Sequence, residues 1–338
     1  MSCITCGSFA RSISRARGVV QETIAAKADA WPRVAVMGAG AVGCYFGGML
    51  ARAGAPTTLI GRATHVEAIG ANGLLLQSLD FQATVPVSAS TDSAAVGDAE
   101  LVLVSVKATD TEEAATALAP HLSNGAVVVC LQNGVDGADR IRAATGINAI
   151  PAVVYVAVEM TAPGIVKHGG RGDLIIGDPS MDDAPNHRSR EIERVAELFD
   201  RAGVPCLVSA NIEADLWTKM IMNCAYNAIS ALSQTRYGRL VAHPETRDVM
   251  RQVIEETVAV ARGLDVRLPE VDMVEEGWKI AEAMPNALSS TGQDIARGKR
   301  TEVDSLNGYV VRRGKELGIP TPVSQTLHAL VKLLEARA

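Results

Sequence analysis

The chain has 338 residues, of which 48% are hydrophobic and 21% are charged, and its formal net charge at pH 7 is -6. This length predicts about two globular domains, and the lack of a basic excess argues against a nucleic acid as partner. No apolar run approaches the roughly 20 residues of a membrane helix, so we expect no membrane partner. Six scattered cysteines predict a reducing compartment. Cys3 and Cys6 form a CxxC, but no second pair of ligands follows, and the histidines show no metal-binding spacing, so we expect no metal.

The predicted leader covers residues 1–31, which precede the first predicted strand. Arg11, Arg15 and Arg17 occur there among serines, with no acidic residue before Glu22. This composition resembles a mitochondrial transit peptide, and it equally fits a disordered leader or an upstream start codon. We favour a disordered leader on an otherwise cytoplasmic protein, with organellar targeting left open.

The next segment predicts a strand, a glycine-rich turn, a helix and a second strand. The strands are Val34–Met37 and Thr57–Ile60, and the turn is Gly38-Ala39-Gly40-Ala41-Val42-Gly43. In a GxGxxG turn the first glycine permits the tight turn, the second lets a pyrophosphate approach, and the third permits close packing. The anion would bind the free N–H groups at the helix N terminus. We therefore predict that these six residues bind a dinucleotide; the alternative is a tight turn without a ligand.

The residue after the second strand distinguishes two nicotinamide nucleotides. A site for NAD usually has an acidic residue about 20 residues past the glycines. This chain has Gly61-Arg62 there, and its next acid is Glu67. Arginine suits a 2′-phosphate, which it can bind through two charge-assisted hydrogen bonds. Arg62 therefore predicts NADP(H), the alternative being a solvated surface arginine.

Two further buried strands are predicted at Leu101–Val106 and Ala126–Leu131, with a helix near residues 111–122 between them. This alternation predicts a doubly wound sheet whose ligand binds at the carboxyl ends of the strands. Lys107 follows the first strand and Asn133 follows the second, so both should face the same crevice as the glycine turn. The alternatives are a surface lysine and a turn asparagine before glycine.

The rest of the chain changes from strands to helices. Ile165–His168 and Leu174–Gly177 predict an antiparallel hairpin, and Val204–Val208 is the last predicted strand. We predict an α/β Rossmann-type sheet domain over residues 32–209 and an all-α domain over residues 210–338. Its predicted helices lie near residues 213–232, 245–263, 271–283, 301–317 and 323–336.

The first of these helices carries a polar stripe. Lys219, Asn223 and Asn227 are spaced four residues apart in apolar surroundings, which places them within about 80° of arc on one helix face. Because burying three unpartnered polar groups is costly, the stripe predicts a wet cleft or a polar ligand. A solvated helix face is the alternative.

A second polar cluster lies in the sequence SSTGQDIARGKRTEVD, which includes Ser290 and Glu302. Thr301 with Asp304 has the pattern of a helix N-cap. Glu302 is therefore either part of a site or an acid favoured at a helix N terminus by the dipole.

Five pieces of this sequence, in this order, resemble the ketopantoate reductase family over residues 33–335: GAGAVG, VKA, QNG, WTKMIMNCAYN and SSTGQDIARGKRTEVD. The resemblance implies reduction of 2-dehydropantoate to pantoate by NADPH, in a cleft between a Rossmann domain and a helical domain. It implies Lys219 as the catalytic proton donor, and Lys219, Asn223, Asn227 and Ser290 as substrate-binding residues. The glycine turn, Arg62, Lys107 and Asn133 would bind the cofactor, and Glu302 would contact the cofactor or order the lysine.

The chain departs from the family pattern after Ser290, where Thr291-Gly292 replace the usual methionine-leucine pair. A reductase of another branched 2-oxo acid is therefore an alternative, and a non-catalytic protein that senses NADP(H) is a further one. Apolar faces in the helical domain are compatible with a homodimer.

Overall fold

The computed structural model describes residues 30–179 and 187–336. Residues 1–29, most of the predicted leader, lie outside this part, and Trp31 is partly buried against the core of the sheet. The strands are β1 (Val34–Met37), β2 (Thr57–Ile60), β3 (Leu74–Gln77), β4 (Gln82–Val85), β5 (Ser88–Ser90), β6 (Leu101–Val104), β7 (Val127–Cys130), β8 (Ile150–Ala162), β9 (Ile165–Ile176) and β10 (Cys206–Val208).

The helices of the sheet domain are α1 (Ala41–Arg52), α2 (Ala63–Asn72), α3 (Thr111–Leu118), α4 (Gly137–Thr145) and α5 (His187–Arg201). Those of the helical domain are α6 (Ile212–Ser233), α7 (Tyr237–Ala242), α8 (Pro244–Gly263), α9 (Met273–Ala283), α10 (Ser290–Ala296), α11 (Asn307–Leu317) and α12 (Pro322–Glu335). None of the helices in the described ranges is both long and apolar enough to cross a membrane.

One sheet runs through the first domain in the order β4-β3-β9-β8-β7-β6-β1-β2-β5, and β10 pairs with β9. Six neighbouring strands of this sheet pair in parallel, in the order β8-β7-β6-β1-β2-β5. β6 is buried at all four positions, as expected of a strand covered on both faces. In the sheet β1 lies between β2 and β6, and the strand order reverses between β1 and β6. The carboxyl ends of these two strands therefore flank the switch point, where ligands bind in such sheets. The predicted fold class is confirmed.

The predicted hairpin at 165–177 is wrong. Both of its segments belong to the single strand β9, which pairs antiparallel with β8 along most of its length. Glycines at 170 and 172 adopt φ angles of +150° and +127°, and the pairing register shifts there. The glycine-rich sequence therefore forms bulges within a strand; the chain reverses earlier, at residues 163–164.

The helical domain is built around α6, which begins after Asn211, whose side chain accepts a hydrogen bond from the Ala214 N–H. The predicted helix at 301–317 is wrong at its start, because α11 begins at Asn307. A short 3-10 turn, Val303–Ser305, precedes it, and the Thr301 hydroxyl accepts a hydrogen bond from the Val303 N–H. The N-cap pattern therefore marks a turn that holds Glu302 outside a regular helix.

The two domains have separate apolar cores. The two clusters of buried apolar side chains in the sheet domain have members between residues 34 and 206. The two clusters in the helical domain have members between residues 217 and 331. Val135 of the sheet domain packs against the helical core, and the polar groups described next also join the two domains.

Candidate active site

The glycine turn between β1 and α1 fits a pyrophosphate. Gly38 has a φ of +116°, and a Cβ added at Gly43 would lie 2.2 Å from the Gly38 carbonyl oxygen, so both positions require glycine. A Cβ added at Gly40 would meet no protein atom within 4 Å, which leaves the backbone open to a ligand. Ala39 is buried, and Ala41 and Val42 begin α1.

The N terminus of α1 is free to bind an anion. No side chain caps it, and its first turn contains no acidic residue. The free N–H groups and the positive end of the helix dipole therefore point to the place where the turn is open. These features fit the phosphates of a dinucleotide.

Cationic side chains lie where β2 ends. Arg62 is exposed and precedes α2. Burial lowers the pKa of His65 in the first turn of α2, and the charges of Lys299 and Arg62 lower it further. Lys299 belongs to the helical domain, so both domains contribute positive charge at the position predicted for a 2′-phosphate.

A segment of the helical domain, residues 294–302, crosses to the sheet domain, and we call it the bridging segment. The Lys107 Nζ atom lies 2.7 Å from the Asp294 Oδ2 atom and 2.7 Å from the Arg300 carbonyl oxygen. Arg297 pairs with Glu159 of β8. Burial raises the pKa of Asp294, which the hydrogen bond from Lys107 opposes. Lys107 therefore binds the helical domain, while it follows β6 at the crevice as predicted.

Lys219, Asn133 and Glu302 form one hydrogen-bonded chain between the domains. The Lys219 Nζ atom donates to the Asn133 Oδ1 atom at 2.9 Å and to the Val154 carbonyl oxygen at 2.5 Å. The Asn133 Nδ2 atom donates to the Glu302 Oε2 atom at 3.0 Å. The other Glu302 oxygen accepts from the Ala108 N–H at 3.0 Å. Residues distant in the sequence therefore meet around one ammonium group.

The environment of Lys219 moves its pKa toward neutrality. The pKa of Lys219 is about 8: burial lowers it most, the negative charge of Glu302 raises it, and the positive charge of Arg171 lowers it. An amine with a pKa near the working pH can donate a proton and take it back. This is the property required of an acid that protonates a carbonyl oxygen during reduction.

The other residues of the predicted stripe lie on the same helix with free amides. Asn223 is half-buried and Asn227 is buried. Within residues 30–179 and 187–336, neither side-chain amide has a hydrogen-bond partner, so both are available to a ligand. Ser290 is exposed at the start of α10. Its neighbour Ser289 is buried and caps this helix by accepting from the Gly292 N–H at 2.9 Å.

Sequence reasoning missed Tyr155 and Arg171, which lie against this site. The Lys219 Nζ atom is 5.7 Å from the centroid of the Tyr155 ring, and the Arg171 Cζ atom is 3.9 Å from it. The arginine lies between glycines, which was the available signal, but the pattern was interpreted as a turn. In the part of the chain that the structure describes, no group of three His, Cys, Asp or Glu residues could hold a metal ion.

Both parts of the chain match models of one protein family. Residues 34–180 match the model described as ketopantoate reductase PanE/ApbA, and residues 211–335 match the model of its C-terminal part. A 2-dehydropantoate 2-reductase of Pyrococcus abyssi is 33% identical over 306 residues, which cover 90% of this chain and 98% of that protein.

Solved structures show the same similarity. The crystal structure of a PanE/ApbA family ketopantoate reductase from Ralstonia eutropha JMP134 has a TM-score of 0.84 and 51% identity, covering 90% of this chain and 99% of that one. A ternary structure of D-mandelate dehydrogenase with NADH and anilino(oxo)acetate has a TM-score of 0.83 at 23% identity, with coverage of 90% and 99%. At this identity the second similarity concerns the fold alone.

Proposed function

The chain belongs to the ketopantoate reductase family of oxidoreductases, which use a nicotinamide nucleotide, and we propose that it reduces 2-dehydropantoate to pantoate with NADPH. This reaction is a step toward pantothenate and coenzyme A. The observation that carries the proposal is the chain of hydrogen bonds from Lys219 through Asn133 to Glu302. These hydrogen bonds hold the partly buried Lys219 ammonium in one orientation at the carboxyl ends of the strands.

Residues of both domains would hold the cofactor. The backbone from Gly38 to Gly43 would bind its pyrophosphate, and Arg62 with Lys299 would bind the 2′-phosphate. The exposed Arg62, the lack of an acidic residue at this position and the nearby charge of Lys299 support NADP over NAD. Lys107, Asn133 and Glu302 would lie on the nicotinamide side.

When bound, the reduced nucleotide supplies a hydride for the C2 carbonyl carbon of the substrate. Lys219 hydrogen-bonds the carbonyl oxygen and transfers a proton to it as negative charge develops there. Asn133 orients the lysine, and Glu302 keeps it charged by opposing the effect of burial. With a pKa of about 8, Lys219 is mostly protonated at neutral pH.

The amides of Asn223 and Asn227 would bind polar groups of the substrate without adding charge. They lie one and two helical turns beyond Lys219 along α6. Ser290 would complete this set from α10, which packs against α6 and joins it through the hydrogen bond from Gln234 Nε2 to the Gly292 carbonyl oxygen at 3.2 Å.

The test is turnover of a panel of branched 2-oxo acids with NADPH and with NADH, followed by the absorbance of the reduced cofactor. We expect 2-dehydropantoate with NADPH to have the highest kcat/KM. Cofactor binding without turnover of any acid would contradict the proposal and favour the sensing alternative.

A reductase of another branched 2-oxo acid is the second candidate function. Gly292 is buried, and a Cβ added there would lie 3.1 Å from the Ser289 hydroxyl and 3.2 Å from a Leu288 methyl carbon. The usual leucine would not fit without movement of these neighbours, so Gly292 would give the pocket beside Ser290 a different shape. A different acid ranking first in the panel would establish this alternative.

A further inference from the structure

Arg171 has an unusual backbone conformation at a bulge of β9. Its φ is 54°, and it lies between Gly170 with a φ of +150° and Gly172 with a φ of +127°. Arginine has no local preference for the left-handed region, in contrast to asparagine or aspartate. Bulges redirect side chains next to active sites, and strained residues concentrate there because the surrounding structure holds them.

The redirected side chain lies over a ring of the candidate active site. The Arg171 Cζ atom is 3.9 Å from the centroid of the Tyr155 ring, and the Lys219 Nζ atom is 5.7 Å from the same centroid. The two cationic groups are therefore no more than about 10 Å apart, a distance over which charges interact at moderate ionic strength. The pKa of Lys219 responds to this neighbour, since the charge of Arg171 lowers it.

Asp173 fixes the guanidinium and leaves part of it free. The Arg171 Nε atom donates to Asp173 Oδ1 at 3.0 Å, and its Nη2 atom donates to Oδ2 at 2.6 Å. A guanidinium has N–H groups on two edges, and this pairing uses one edge. In the described ranges Nη1 makes no hydrogen bond, and half of the side chain is exposed.

We propose that Arg171 binds the carboxylate of the 2-oxo acid whose carbonyl oxygen accepts a hydrogen bond from Lys219. The inference rests on the proposed function of this site. The two cations are at most about 10 Å apart, and two hydrogen bonds of about 2.9 Å joined by the short span of a 2-oxo acid do not exceed this limit. Asn223 and Asn227 are neutral, so Arg171 would supply the charge that selects an acid over an uncharged ketone.

The proposal predicts two effects of replacing Arg171 by glutamine. The affinity of the enzyme–NADP⁺ complex for the 2-oxo acid should fall about 10- to 100-fold, with the affinity for NADP⁺ unchanged. The alkaline limb of kcat/KM should move to higher pH, because a positive charge that lowers the Lys219 pKa is removed.

Other charged groups in this environment remain in the variant. Glu302 acts directly on Lys219. Burial raises the pKa of Tyr155, the charge of Arg171 lowers it, and the charges of Asp215 and Asp173 raise it. If Arg171 had a purely structural role, its replacement would not move the alkaline limb of kcat/KM to higher pH.

Calorimetry measures the affinity of the enzyme–NADP⁺ complex for a 2-oxo acid. The acid used is the one that the wild-type protein turns over best, or the one that it binds best if it turns over none. Lys167→Gln is the matched control, since Lys167 is exposed on the same strand. Arg171→Lys should bind with intermediate affinity, because lysine keeps the charge and loses the planar fork.

Wild-type affinity in Arg171→Gln would overturn the proposal, as would failure of every acid to bind wild type. If Arg171→Gln shows no cooperative thermal transition, the lysine variant decides, and affinity equal to wild type contradicts the proposal. The turnover panel tests the proposed function separately, so the two failures are distinguishable.

Discussion

Replacing Glu302 by glutamine should move the alkaline limb of the activity profile to lower pH. Glu302 favours the protonated form of Lys219, because its negative charge opposes the effect of burial, and the resulting pKa of Lys219 is about 8. Asn133 alone separates the two groups, through hydrogen bonds of 2.9 and 3.0 Å. Glutamine keeps the shape of the side chain and removes the charge.

The size of the shift follows from this geometry. The two hydrogen bonds and the intervening amide place the carboxylate and the ammonium on the order of 8 Å apart. With an effective dielectric constant of about 20, their attraction is on the order of 2 kcal/mol, or roughly 1.5 pKa units. The ammonium of the variant would therefore be lost at a lower pH than in wild type. At pH 8 we expect kcat/KM to fall by more than about tenfold, and at pH 6 much less.

The assay is kcat/KM for 2-dehydropantoate with NADPH over this pH range. Glutamine also disturbs the hydrogen bond from Asn133, which would lower activity at every pH, so the position of the limb is the informative quantity. Glu197→Gln, an exposed change on α5, should leave the profile unchanged. A variant that loses activity equally at all pH values would refute the electrostatic role of Glu302.

Three further predictions concern the two ends of the cleft. Lys219→Ala should lower kcat about 10²- to 10⁴-fold with unchanged NADPH affinity and thermal transition, measured by turnover, fluorescence titration and circular dichroism; normal turnover would remove Lys219 from the mechanism. Gly43→Ala should lower the melting temperature, because the new Cβ would lie 2.2 Å from the Gly38 carbonyl oxygen. Gly40→Ala should fold normally and bind NADPH weakly, because its new Cβ would meet no protein atom within 4 Å. Equal melting temperatures of the two variants would be inconsistent with this packing. Arg62→Gln should raise KM for NADPH about tenfold or more and leave KM for NADH nearly unchanged, and equal losses with both nucleotides would contradict 2′-phosphate binding.

Local sequence patterns predicted the first βαβ unit well. The strands Val34–Met37 and Thr57–Ile60 have their predicted bounds, because each is a short run of β-branched and aliphatic residues ended by glycine. The start of α11 and the shape of residues 165–177 were predicted wrongly. In both places a local pattern that is typical of a helix cap or a hairpin turn occurs within a different structure. That structure is determined by strand pairing and packing between residues that are far apart in the sequence.

Sequence patterns singled out the polar residues that meet around Lys219 but not their contacts, and they missed Tyr155 and Arg171. The periodic stripe identified Lys219, Asn223 and Asn227 because helix geometry is local. Nothing local joins Lys219 to Asn133, which is 86 residues away, or Asn133 to Glu302, which is 169 residues away. The ion pair between Lys107 and Asp294 depends likewise on how the domains dock.

The separate apolar cores of the two domains have a consequence for their joint. Lys107 with Asp294, Arg297 with Glu159 and Glu302 with the Ala108 N–H connect the domains through charged groups. Salt screens exposed ion pairs but leaves apolar burial intact or strengthens it. Rising ionic strength should therefore weaken these ion pairs between the domains, while each apolar core and the packing of Val135 on the helical core stay intact.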